Sequence, residues 1–252
     1  MTLAYLNWSL AWDARQQFLD GLGVAIEVSL VALVLSVIFG ILLALARMGR
    51  PPLSWVAATY VNIFRGLPIL VTVLWVYFGI ALALGWNFSK LQAGVIALTV
   101  LYSAFISEIY RSALEAVPRG QREAGLALGM HPVRIFLRIV LPQATKIAIP
   151  NVGSMLIGMV KDTSVLTVIG LVEVTSVAQN IDAVTYQSFV AYTAAAGVYI
   201  LAAFGVDFLF RAVEKSLSTP PQGRIADAIH GRRRRRVEQV VRKLGGAQLE
   251  SP

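Results

Sequence analysis

A chain of 252 residues that is 57% hydrophobic and 14% charged, with mean hydropathy +0.68 and formal charge +8, cannot cover itself with a water-soluble surface. The balance excludes an ordinary soluble domain and points to a membrane. The absence of cysteine removes disulfides and thiolate metal sites, so that residue says nothing of redox compartment.

A spanning helix needs about 20 mostly apolar residues, because the hydrocarbon core is about 30 Å thick and each residue rises about 1.5 Å. Residues 1–20 carry Asp13, Arg15 and Asp20 and lack a basic opening, so they read as a short amphipathic lead-in with no cleavable signal. Residues 28–46 form the first uncharged run, which ends at Arg47-Met48-Gly49-Arg50-Pro51-Pro52, a helix stop and tight turn. The second apolar region begins near Trp55 and is interrupted at Arg65-Gly66-Leu67-Pro68. That interruption predicts a short entry helix, a kink, and a span over 69–84. A short turn follows over 85–90, with Trp75, Tyr77 and Trp86 placing aromatic surface toward that interface. The third run, 91–107, leads to Glu108, three residues before Arg111 and able to pair with it where the helix emerges.

Residues 120–142 are charged and rich in helix formers, between apolar runs. A helix is expected over 121–128, with Glu123 near its positive end and Gly129 as its stop, and Pro132 suits the first turn of the next helix. The two helices should meet at a sharp angle. The second carries Ile135, Phe136, Ile139 and Val140 on one side and Arg134 and Arg138 on another, as an interfacial helix would. A connector lying on lipid headgroups and a docking element for a partner both fit this pattern.

The fourth run, 147–172, contains Lys161 and Asp162. Each costs roughly 2.5–3.5 kcal/mol at a helix centre and should face a bundle interior or an aqueous cavity. Neighbours on a helix point about 100° apart, so the two should find partners elsewhere. Asp162, Thr163 and Ser164 are good N-cap residues and Gly158 lies just before them, so the span is expected to be discontinuous here. Either a capping and ion-pair network or a ligand contact accounts for them. Glu173 reads as an outside-facing loop residue, and 183–206 is the fifth run. Residues 218–252 read as a solvated tail with a linker over 219–223, five consecutive arginines from Arg232 to Arg236, and a short helix near 237–244. Nucleic acid and anionic inner-leaflet lipid both attract such a cluster; the adjacent span favours lipid, and no nucleic-acid partner is expected.

Charge orients the chain. Arg47, Arg50 and Arg65 flank the first turn, Arg111, Arg119, Arg122, Arg134, Arg138 and Lys146 fill the central loop, and ten basic residues follow Val206. The other side keeps only Arg15 and Lys90. Lysine and arginine accumulate in cytoplasmic loops, so the N-terminus is expected outside and the C-terminus inside, which needs an odd number of spans; five fits.

The order Gly120-Gln121, Glu123-Ala124, Gly129 and Leu141-Pro142-Gln143-Ala144 resembles the cytoplasmic EAA loop of ABC importer permeases, in the polar amino-acid (histidine/glutamine permease) branch. Arg65-Gly66-Leu67-Pro68 is similar to that branch's Arg-Gly-Thr-Pro, Glu108-Ile109-Tyr110-Arg111 to its Glu-Ile-Phe-Arg, and Lys161-Asp162-Thr163-Ser164 to its Lys-Asp-Thr/Ser-Ser. The resemblance runs from about residue 21 to about 217. It implies an all-α polytopic membrane protein of the type I importer fold, with five transmembrane helices and a cytoplasmic coupling helix between the third and fourth. Residues 1–20 would be the lead-in, 21–217 the transmembrane domain and 218–252 the basic cytoplasmic tail.

By the same resemblance, Gly120, Gln121, Glu123, Ala124, Gly129, Leu141 and Pro142 couple the chain to a separate ATPase. Lys161, Asp162, Thr163, Ser164, Arg65 and Glu108 are candidates for the substrate pathway. The partners implied are the ABC ATPase, a second permease subunit, a periplasmic or extracellular solute-binding protein, a small polar substrate and membrane lipid. The chain would hold no cofactor, ATP and Mg being bound by the ATPase, and would sit in a bacterial-type inner membrane, catalysing no covalent step. Departures are Gly125 for the second alanine of Glu-Ala-Ala, which should loosen the short helix by about 1 kcal/mol, together with Leu67, Phe105 and Ser154 for threonine, tyrosine and asparagine. A passive channel is the main rival. An intramembrane enzyme is disfavoured because His131, one of two histidines, lies in the central loop and no metal cluster or serine nucleophile motif falls within a span.

Overall fold

The computed structural model describes residues 6–218, with side chains described as far as Ala212. The arginine run and the helix expected near 237–244 lie outside the described residues. Among those described there is no strand.

Nine helical segments follow in order: α1 (Ser9–Asp13), α2 (Arg15–Arg47), α3 (Leu53–Gly66), α4 (Ile69–Leu84), α5 (Lys90–Ala116), α6 (Arg119–Ala127), α7 (Pro132–Ile169), α8 (Val174–Thr185) and α9 (Ser188–Ser218). Four of them, α2, α5, α7 and α9, are each long and apolar enough to cross a bilayer; α3 and α4 supply a fifth crossing only as a pair bent by 112°. The long helix α2 begins inside the segment read as a lead-in, and the fifth run starts at Ser188, after α8 and a turn at Tyr186, where 183 had been expected.

Proline explains several breaks. The residue before proline is pushed out of the helical region, and Leu67, Val117 and His131 are all extended, ending or separating helices at Pro68, Pro118 and Pro132. Ser89 opens α5 with a capping box: its hydroxyl accepts from the Gln92 N–H at 3.2 Å, and the Gln92 side chain accepts from the Ser89 N–H at 3.0 Å.

The helix α5 is the centre of the bundle, with Leu98, Ala104 and Ile106 fully buried. Small residues of α2 spaced three or four apart, Ala25, Ser29, Ala32, Ser36, Gly40 and Ala44, form a buried stripe. Small residues let membrane helices approach closely, since packing rather than a water-driven term holds them together. At Gly40 the approach to α5 is tight: a Cβ there would stand 2.6 Å from Ile106 Cγ2. Leu30, Val34, Ile38 and Leu42 of α2 and Leu201, Phe204 and Phe208 of α9 are left exposed, surface that lipid or another subunit must cover.

Candidate functional site

Polar and ionisable groups gather in three places along this scaffold. The first is the turn between α6 and α7. The backbone N–H of Gly129 donates to the Leu126 carbonyl at 2.9 Å and that of Met130 to the Gly125 carbonyl at 3.0 Å, with Gly129 at φ +72°, a Schellman stop that a glycine adopts without strain. His131 then caps the next turn, its Nδ1 accepting from the Val133 N–H at 3.4 Å. Gly120, Gln121, Glu123 and Ala124 are exposed on α6 and Gly129 is exposed in the turn, whereas Gly125 is buried against Ile135. A Cβ at 125 would lie 2.8 Å from Ile135 Cγ1 and 2.9 Å from Cδ1. The missing alanine methyl therefore makes room for packing here, beyond the loosening that helix propensity alone predicts.

The second of the two helices is not a separate interfacial piece. It continues without a break from Pro132 to Ile169. Ile135 and Val140 are buried and Arg134 and Arg138 exposed, as the pattern predicts. Pro142 has no N–H to return to the Arg138 carbonyl, and the chain widens into a π turn over Phe136–Val140 just before it. Leu141 and Pro142 thus stand where the π turn gives way to regular helix within α7.

The second place is an ion cluster at the ends of α2, α3 and α5. Glu108 pairs with Arg47 through Oε2 and with Arg111 through Oε1, the Arg111 Nε donating at 3.0 Å; Arg65 stands 3.9 Å from Oε2, and Arg111 also reaches Glu115 at 2.6 Å. The expected Glu108–Arg111 pair is one edge of this larger cluster. Arg65 lies 5.8 Å over the Phe105 ring and, with Glu108, Ser112 and Asn151, lines a recess of about 490 Å³ between α5 and α7. Trp75 packs 6.2 Å from Phe64 of α3, beside the bend.

The third place is the segment Lys161 to Ser164. The expected discontinuity is absent: α7 tightens to 3-10 geometry over Thr163–Ile169 without breaking, and Asp162 is helical and caps nothing. The Asp162 carboxylate accepts from the Tyr102 hydroxyl of α5 at 2.8 Å, which agrees with a partner elsewhere in the chain. Thr163 is buried, its hydroxyl donating to the Val160 carbonyl at 2.7 Å, while Ser164 is half-buried. Lys161 is exposed on a groove of about 430 Å³ shared with Tyr199, Phe204 and Asp207. Glu173, expected to face outside, is fully buried. Its position ahead of Thr175 and Ser176 at a helix start was the available signal, since a carboxylate there can cap the helix.

The bent helix pair, the four long helices and the charged turn leading into one of them define a multi-pass membrane protein of permease architecture. The chain belongs to the family described as binding-protein-dependent transport system inner membrane component, whose profile matches residues 36–219. It is 33% identical over 202 residues to the arginine transport system permease protein ArtQ of Bacillus subtilis, covering 80% of this chain and 92% of the relative. It is 30% identical over 213 residues to the glutamine transport system permease protein GlnP of Escherichia coli, covering 84% and 97%. Among solved structures it is similar to an amino acid ABC transporter crystallised with histidines, with TM-score 0.77, 31% identity, and 86% and 100% of the two chains covered. It shares its fold with the MetNI methionine ABC transporter, with TM-score 0.72, 20% identity, and 82% and 99% coverage.

Proposed function

We infer that the chain is the permease subunit of an ATP-driven importer that carries polar amino acids or close relatives across a bacterial-type inner membrane by alternating access. The relatives' names, arginine and glutamine transport among them, support the substrate class. In this reading α3 and α4 together make one crossing, giving five, with the N-terminus outside and the C-terminus in the cytoplasm. Residues 21–217 are the transmembrane domain, 1–20 a lead-in and 218–252 a basic tail against anionic lipid.

The turn α6 to α7 is the coupling element. Gly120, Gln121, Glu123, Ala124 and Gly129 meet the groove of a partner ATPase, which binds ATP and Mg, and Leu141 and Pro142 pass the movement on. A second permease subunit completes the pathway and a solute-binding protein delivers cargo. Arg65 and Glu108 stand at its inner end and Lys161, Asp162, Thr163 and Ser164 deeper within it.

The observation that carries this reading is the exposed α6, held rigidly by the Schellman turn and by Gly125 on Ile135, at the head of a helix that continues unbroken into the bundle. A passive channel has no use for such an element. The test is co-purification from native membranes in mild detergent with mass spectrometry of what is retained. Wild type and Gly129→Asn, which tolerates the left-handed turn, should keep an ATPase; Gly129→Glu should lose it. Retention by Gly129→Glu together with full transport would refute the coupling role.

A further inference from the structure

Glu173 lies in the turn between α7 and α8 with no exposed surface, and its neighbours account for it donor by donor. Its Oε1 accepts from the Thr167 hydroxyl at 2.6 Å and from the backbone N–H groups of Thr175 at 2.8 Å and Ser176 at 3.1 Å; its Oε2 accepts from the Tyr199 hydroxyl. Those donors come from the tightened end of α7, the first turn of α8 and the middle of α9. Burying an ionisable group is costly unless its lone pairs are used, and a fully satisfied network of this kind fixes one geometry. Packing closes on the same point, since a Cβ at Gly21 of α2 would stand 2.8 Å from the Glu173 carbonyl carbon.

The network reaches toward Asp162. The Tyr199 hydroxyl bonds Thr175 at 3.0 Å, and Glu173 itself holds Thr167, inside the segment that follows Asp162. Between Asp162 and Glu173 lie the seven residues of 3-10 helix, Thr163–Ile169. A 3-10 helix rises about 2.0 Å per residue against about 1.5 Å for an α-helix, so relaxing this segment would shorten it by roughly 3.5 Å and rotate whatever precedes it. Both ends are pinned in the structure, one by Tyr102 on Asp162 and the other by the donors around Glu173.

We propose that Glu173 is a positioning residue for translocation: acting with Tyr199, it holds the 3-10 segment extended and so sets where Lys161 and Asp162 stand in the pathway. This rests on the reading that residues 161–164 belong to the pathway. Glu173 itself touches no substrate. Its influence passes through Thr167 and the 3-10 segment to Asp162.

The test uses the complete importer in proteoliposomes, with its ATPase, second permease subunit and solute-binding protein, and radiolabelled glutamine, arginine and histidine as probes. The readout is solute imported per ATP hydrolysed. Glu173→Gln keeps the size and removes the charge, and is expected to lower that ratio about tenfold for the best-transported probe, as is Asp162→Asn. If the two act through one element, the double variant falls no further than the poorer single; independent effects would multiply to about a hundredfold. Tyr199→Phe, which removes one donor and keeps the ring, should lower the ratio of the assembled complex by about threefold, a loss per ATP hydrolysed that the lowered melting temperature expected from a missing buried donor does not account for. Multiplying losses, a wild-type ratio in Glu173→Gln, or a fall seen only as less folded complex overturns the proposal. A wild-type ratio in Asp162→Asn overturns the pathway reading and this proposal with it, whereas impairment by Asp162→Asn beside a normal Glu173→Gln removes the tether alone.

Discussion

Gly125→Ala sets helix propensity against packing and lets the sign of one stability change decide between them. Propensity favours alanine inside α6 by about 1 kcal/mol. The structure opposes it, because the new Cβ would meet Ile135 Cγ1 at 2.8 Å and Cδ1 at 2.9 Å, and Ile135 is only 3% exposed and cannot swing into solvent. Inserting a methyl into a filled site costs about 1–3 kcal/mol, so the net expectation is a destabilisation of about 0–2 kcal/mol. Ile135→Ala alone should cost about 2–5 kcal/mol through the cavity it leaves. With that side chain gone the clash disappears and the methyl added at position 125 fills part of the space, so the double variant should be more stable than the sum of the singles by about 1–3 kcal/mol. Thermal unfolding of the purified protein in one detergent reads all four members of the cycle. A stabilised Gly125→Ala with Ile135 intact, together with singles additive within about 0.5 kcal/mol, would refute the packing argument.

Four further substitutions probe the bundle. Glu108→Gln leaves Arg47 and Arg111, 17% and 28% exposed at their side chains, facing each other without their shared anion; it should destabilise by about 2–4 kcal/mol, whereas Arg65→Gln, at 3.9 Å and 44% exposed, should cost less than about 1 kcal/mol. Equal melting temperatures for the two variants would show that the cluster is not graded in this way. Gly40→Val would drive a side chain into Ile106 and separate α2 from α5, costing about 3 kcal/mol, visible as a lowered melting temperature or lost expression; a wild-type melting curve would contradict the close approach. Tyr102→Phe leaves the Asp162 carboxylate without its donor and should cost about 1–3 kcal/mol, an expectation that an unchanged melting temperature would sink.

Apolar run length and proline made most of the helical order legible. The bends at Pro68, Pro118 and Pro132 follow from one steric rule about the preceding residue, and the stop at Gly129 from the left-handed turn it adopts. The same proline rule does not break α7 at Pro142 or Pro150, because that rule expresses a preference which tertiary packing overrides: Val140, Ala144, Ala148 and Val152 are buried along this stretch. Local pattern also found the Glu108–Arg111 edge, since the two share a helix face. Arg47 and Arg65 joined it through helix packing, which no sequence spacing encodes. Glu173 was misplaced for a related reason. An acid after a glycine turn resembles a solvated loop residue until its donors are known, and Thr167 and Tyr199 are brought to it by the fold.

The same long helix links the two regions where function is proposed, and its geometry says where it can deform. From Leu141 to Asp162 it stays α-helical through Pro150, pressed against α5, and a Cβ at Gly153 would stand 2.5 Å from Phe210 Cδ1 of α9. A rod packed in this way transmits displacement instead of absorbing it, because packed interiors compress little. The irregular turns lie at its two ends, the π turn over Phe136–Val140 beside α6 and the 3-10 segment over Thr163–Ile169 beside Glu173. Such turns are the usual places for a helix to hinge. In the proposed reading, a push on α6 therefore enters through Ile135, pivots at the π turn, and reaches Asp162 with little loss along the rod. The 3-10 segment then takes up the difference against the fixed Glu173 network, so that coupling turn and pathway move as the two ends of one lever.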